Sequence, residues 1–184
     1  MSFKFYVVIV ACLAFAGCAP ITVKTDYNKS VDFNRYKQYQ WIPNEQPGLV
    51  ETDTDKLMLD ETVSNTVERE LETNGYVQNN TNPDFLVSYY FVVNAKTDVY
   101  FVNNYYTGLG YRAEPGRSST RDSEKIRNAS YEQGILIIDI LDSTTKERIW
   151  RGYAQSRLNV FTELNKKKQR VATAVKKILA RFPP

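Results

Sequence analysis

Histidine is missing altogether from the 184 residues. That removes the commonest general base near neutral pH and the commonest zinc ligand together. Cysteine is scarce: the two residues, Cys12 and Cys18, both lie near the N-terminus. Charge of one sign is scarce as well, with 24 Lys and Arg against 21 Asp and Glu and a formal +3. So weak a field disfavours nucleic acid as a partner. Aromatic residues, by contrast, are plentiful, with 13 Tyr and 9 Phe. A hydrophobic content of 42% supplies an ordinary core and argues against wholesale disorder. The length fits one domain.

The N-terminus has the layout of a secretory signal. Lys4 precedes an uncharged apolar run, Phe5 to Gly17, and small residues precede Cys18. The run is shorter than the roughly 20 residues a membrane-spanning helix needs. Its end, Leu13-Ala14-Phe15-Ala16-Gly17-Cys18, resembles a bacterial lipobox. The resemblance implies diacylglycerol on the Cys18 sulfur, cleavage before Cys18, and acylation of the new amino group by a chain such as palmitate. Two or more acyl chains hold a protein stably on a membrane, whereas one is marginal. The other reading is a plain signal peptide with an incidental cysteine. Ala19, in place of Asp, points to the outer membrane if the source has two membranes. The expected division is a lipoprotein signal peptide at 1–17, a lipid-anchored tether at 18–25 running into a first strand, and a single α+β domain at 26–184. Cys12 then leaves with the signal and Cys18 carries lipid. The folded body has no thiol for a disulfide, a metal or a nucleophile.

Local patterns give the elements. Ile21 to Tyr27 alternates with period two and is rich in β-branched residues, so it reads as a strand. Tyr39 to Ile42 reads as a second strand stopped by Pro43. Asp55 to Asn74 is a helix, with Leu59, Val63, Val67 and Leu71 at four-residue spacing and a stop at Asn74-Gly75. Phe85 to Val93 is a strand, with Asp98 to Tyr106 as its expected hairpin partner. The span 108–130, rich in Gly, Ser and Arg, is expected to be a mobile loop. Tyr131 to Leu141 should be a central strand. Arg148 to Arg157 returns, with Ile149, Arg151, Tyr153 and Gln155 on one face and Trp150, Gly152, Ala154 and Ser156 on the other. Leu164 to Phe182 is a second amphipathic helix. The order β-β-α-β-β-β-β-α predicts an α+β domain: a mainly antiparallel sheet with two amphipathic helices packed on one face.

Several segments together resemble a known family. They are Asp32-Phe-Asn-Arg-Tyr-Lys-Gln-Tyr-Gln-Trp41, Asn74-Gly-Tyr76, Pro83-Asp-Phe-Leu-Val-Ser-Tyr89, Gly134-Ile-Leu-Ile-Ile-Asp-Ile140, Trp150-Arg-Gly152 and the terminal helix ending Phe182-Pro-Pro184. In this order they resemble the bacterial lipoprotein family catalogued as domain of unknown function 4136. The resemblance implies a periplasm-facing envelope lipoprotein with an α+β fold, and it brings no catalytic residues.

Candidate chemistry is thin. Asp139 with Asp142 or Glu132 offers paired carboxylates, which a glycosidase holds about 5–10 Å apart across a cleft. The blander reading pairs Asp139 with Lys or Arg across the sheet and puts Asp142 in a turn. Without histidine, a serine nucleophile would have to take its base from Lys or an amine, which disfavours that reading. Asp53, Asp55, Asp60 and Glu61 lack the order of an EF-hand loop and suit a helix start better than calcium. The tyrosines Tyr89, Tyr90, Tyr100, Tyr105, Tyr106 and Tyr111 offer apolar area with polar tips, for a glycan, a protein surface or simply one another. The basic helix Lys166 to Arg181 either meets acidic headgroups or is a solvated face. The sequence thus predicts a non-enzymatic, lipid-anchored envelope module with no cofactor and no metal. Its partners are the membrane, through the anchor, and an envelope protein or glycan, with Tyr100, Tyr105, Tyr106 and Tyr111 as candidate binding residues. The alternative is an accessory subunit of an envelope transport or assembly system. A weak cell-wall glycan hydrolase using Asp139 is the remotest reading.

Overall fold

The computed structural model describes residues 21–42, 53–93, 133–157 and 163–184. Thr22–Tyr27 (β1) is followed by a 3-10 turn at Phe33–Arg35, then Gln38–Trp41 (β2), Asp53–Thr73 (α1), Val77–Gln78 (β3), Phe85–Val93 (β4), Gln133–Asp142 (β5), Arg148–Arg157 (β6) and Leu164–Leu179 (α2). One six-stranded sheet has the order β1-β6-β5-β4-β2-β3. The fold is α+β, as predicted. The expected strand 98–106 and the expected loop 108–130 lie outside the described residues.

The sheet is mainly antiparallel, as expected, with parallel pairing at one end. Pairs β1–β6, β6–β5 and β5–β4 are antiparallel, but β2 runs parallel to both β4 and β3. The cause is α1. A helix between two strands of one sheet carries the chain back to its starting end, so the strands on either side run the same way. A tight turn, Asp142 to Lys146, joins β5 to β6, and Lys146 takes a positive φ there.

Helix α1 stops for a definable reason. Gly75 has φ +83, its N–H donates to the Glu72 carbonyl at 2.9 Å, and the Tyr76 N–H donates to the Leu71 carbonyl at 3.0 Å. That is a Schellman cap, and Leu71 and Tyr76 are both buried behind it. Helix α2 ends three residues earlier than predicted. The chain then turns, with Arg181 and Phe182 N–H groups on the Ile178 and Leu179 carbonyls, and drops Phe182 into the core.

Both helices lie over one face of the sheet. Met58, Leu59, Val63, Val67 and Leu71 of α1 meet Val171, Ala174, Val175, Ile178 and Leu179 of α2 in one cluster with Phe85, Val87, Tyr89, Leu136, Ile138, Ile140, Trp150 and Ala154. The β5–β6 pairing shifts register between Ile140 and Leu141, and Ile149 joins this cluster beside Trp150 instead of facing away. Gly152 is fixed by packing: a Cβ there would collide with the Ile178 and Trp150 side chains. Helix α2 therefore rests directly on the β6 backbone.

Candidate functional site

The segments that carry the family resemblance converge in space. Phe182 lies 5.2 Å from Trp150, 5.6 Å from Tyr76, 6.0 Å from Phe33 and 6.1 Å from Phe85, measured between ring centroids. Tyr36 and Tyr39 reach the same Phe85 ring at 6.1 and 5.9 Å. Tilted and edge-on rings at these separations attract one another beyond their buried area. The aromatic signature of the sequence is thus one packed knot under the helices.

Polar side chains lock the strand ends around that knot. Asp32 caps the 3-10 turn through the Asn34 N–H at 3.0 Å. Asp84 accepts the N–H groups of Lys37 and Gln38, each at 2.9 Å, and so ties the start of β4 to β2. Trp41 donates to Glu68 at 3.0 Å, joining β2 to α1. Asp142 collects more donors than any of these. Its Oδ2 accepts from the Tyr36 hydroxyl and the Arg35 guanidinium, both at 2.7 Å, while its Oδ1 accepts from Thr144 and Thr145 N–H groups at 2.9 and 2.7 Å. Burial opposes ionisation of this carboxyl. The Thr145 N–H, the Tyr36 hydroxyl, the Thr144 N–H and Arg35 outweigh it and hold the pKa below the usual carboxylate value. Burial, helped by the hydrogen bond to Asp142, pushes the Tyr36 hydroxyl up to about 12. Tyr39 is pushed up to about 12 by burial and by Glu68 and Glu72.

The face of the sheet away from the helices carries Asp139. It is 0% exposed, and both its oxygens are taken by Arg151, with Nε and one terminal nitrogen each at 2.6 Å. The two residues stand directly opposite in the β5–β6 register. The row continues to Ser88 on one side and Asp26 on the other. Asp26 also meets Arg148 at 3.5 Å, and Lys24 lies 5.9 Å from the Tyr153 ring centroid. Asp142, three positions along, falls on the other side by the period of a strand. The carboxylates considered as an acid–base pair therefore diverge, and each is saturated by its own donors. Asp60 accepts the Tyr89 hydroxyl at 2.6 Å, which assigns it to α1–sheet packing. Glu132, the lipidation candidate Cys18 and the binding candidates Tyr100, Tyr105, Tyr106 and Tyr111 lie outside the described residues.

Among the described residues, helical charge is a prominent outward-facing feature. Helix α1 carries seven acids and two bases, and α2 carries six bases and no acid. Lys166, Lys176, Lys177 and Arg181 are exposed. Arg170 donates to the Ser156 hydroxyl, and Arg181 donates to the Val23 carbonyl of β1 at 2.8 Å. Sequence reasoning found the basic helix but not the Arg35–Tyr36–Asp142 node. Its only trace in the sequence is the Arg-Tyr pair inside a segment already singled out.

The sequence matches the family described as Domain of unknown function (DUF4136) over residues 23–184. The chain belongs to that family. No curated protein matches in sequence. Among solved structures, a PDZ domain protein from Parabacteroides distasonis is similar, at 13% identity and a TM-score of 0.55. The likeness covers 98% of this chain and 40% of that one, so the DUF4136 chain spans well under half of that protein's length. It shows a shared fold. Two structures of the PelC dodecamer from Paraburkholderia phytofirmans align at 12% and 10% identity with TM-scores of 0.44 and 0.46. They cover 88% of this chain and 95% and 96% of theirs. Among the described residues, no helix is long and apolar enough to cross a membrane.

Proposed function

We propose that this protein is a lipid-anchored cell-envelope lipoprotein whose domain faces the periplasm, on the outer membrane, as a non-enzymatic binding or structural module. The observation that carries the reading is the N-terminal run ending Leu13-Ala14-Phe15-Ala16-Gly17-Cys18. Signal peptide, cleavage before Cys18 and palmitate-type acylation follow from it as one reading. The acids best suited to acid–base work, Asp139 and Asp142, are spent on Arg151 and on the Arg35–Tyr36 node. Tyr100, Tyr105, Tyr106 and Tyr111 are the proposed contact residues for an envelope protein or glycan.

The test is fractionation of cells expressing the full chain and its Cys18→Ser variant. The wild type should need detergent for extraction, and the variant should be lost from the membrane fraction. A variant that still needs detergent contradicts the tether. Alanine at the four tyrosines should abolish crosslinking to a partner while leaving thermal unfolding unchanged.

A further inference from the structure

The geometry points to the basic side of α2 as a surface that lies against anionic phospholipid headgroups. This deepens the lipoprotein reading and rests on it for the orientation of the domain.

Three observations combine. The first is composition: 16 helical residues hold six cations and no acid. At 3.6 residues per turn, Lys166, Arg170 and Lys177 fall within about 40° of one another around the axis. They make a line about 17 Å long on a helix about 24 Å long. One acid outside the helix, Glu163, reaches Lys166 at 3.7 Å, with both side chains largely exposed.

The second observation is placement. Arg181, two residues past the end of α2, is bonded to the Val23 carbonyl. Val23 is five positions after Cys18. A fully extended chain of five residues reaches no more than about 18 Å. A lipid at Cys18 therefore holds Val23 within that distance of the headgroup layer, and the end of α2 one Arg181 side chain further on. The third observation is rigidity. Val171, Ala174, Val175, Ile178 and Leu179 seat α2 in the core, and Gly152 lets it touch the sheet. The cations are thus presented on a fixed element rather than a loose tail.

Basic residues near an anionic leaflet add to a lipid anchor, and the attraction fades within a Debye length. The anchor supplies proximity and the helix supplies orientation.

Flotation of the full chain carrying Cys18→Ser, so that acyl chains take no part, tests this directly. Two vesicle types are compared: phosphatidylcholine alone, and phosphatidylcholine mixed with phosphatidylglycerol. Any insertion by the N-terminal apolar run is common to both, so the difference between them is the readout. The account predicts tighter binding to the phosphatidylglycerol vesicles, weakened by added salt. The double variant Lys166→Gln/Lys177→Gln should lose about thirtyfold of that preference, about fivefold for each cation removed. Gln matches Lys in helix propensity, so α2 stays formed. Equal binding to both vesicles, or an unchanged preference in the double variant, overturns the proposal. Competition by inorganic phosphate at fixed ionic strength also overturns it, because it reveals a discrete phosphate site. Failure here with acylated Cys18 in cells leaves the tether standing, so the two readings fail separately.

Discussion

The two faces of the central strands are both buried, yet they are built from different materials. Toward the helices, Leu136, Ile138 and Ile140 of β5 join the apolar and aromatic core cluster. On the opposite face the same strand presents Ile135, Ile137, Asp139 and Leu141, and Asp139 is locked to Arg151. A strand buried on both faces reads as a near-continuous apolar run, because neither side is free to be polar. One ion pair interrupts that run. The lesson is that burial alone does not tell which face a helix covers; the polar exception does.

The largest effect should come from breaking the ion pair. Asp139→Ala leaves the Arg151 charge buried without its carboxylate and should cost about 3–5 kcal/mol in urea unfolding. Replacing both partners, Asp139→Leu with Arg151→Met, should recover much of that loss, since well-packed apolar residues often equal a buried pair. If the double replacement unfolds as easily as the single one, the two faces do not differ in the way described. On the helix side the sensitive point is a lack of volume. Gly152→Ala forces the Ile178 and Trp150 side chains apart and should cost about 1–3 kcal/mol. Ile178→Ala in the same chain should relieve part of it, giving less than the sum of the two single losses.

Protons provide a third probe. The Asp142 pKa is lowered in the folded state, so its contribution is present above the unfolded value of 3.8 and is lost as pH falls through the folded one. Asp142→Asn should flatten the acid limb of a melting-temperature profile. Tyr36 and Tyr39 shift the other way. Their folded values are raised from 10.0 to about 12, so that stability is present below pH 10 and disappears as pH rises toward 12. Tyr39→Phe should soften the alkaline limb. The smallest effect belongs to the sheet–helix strut. Trp41→Phe removes the N–H donated to Glu68 and should cost about 1 kcal/mol.

Much of the fold was legible because its signals are local. The four-residue spacing of Leu59, Val63, Val67 and Leu71 fixed the buried stripe of α1, and Asn74-Gly75 fixed its end. Period two placed Trp150 and Arg151 on opposite faces. The parallel pairing of β2 with β4 was not legible, since it depends on where α1 returns the chain. Strand β3 is two residues long, Val77 and Gln78, and nothing that short has a period. The Asp142 node joins residues 106 positions apart, and no spacing rule spans that distance. Asp139 was readable as either an acid of a site or a cross-strand partner. Its directly opposite Arg151 decides for the partner. The basic helix was visible as charge; the bond from Arg181, just past its end, to β1 was not.

The account turns on Cys18, and intact-mass analysis of the protein purified from its native membranes tests it most directly. It predicts a chain that begins at Cys18 and is heavier than the polypeptide by a diacylglyceryl group and an amide-linked acyl chain. A chain retaining Met1, or one beginning elsewhere with an unmodified thiol at position 18, would contradict it.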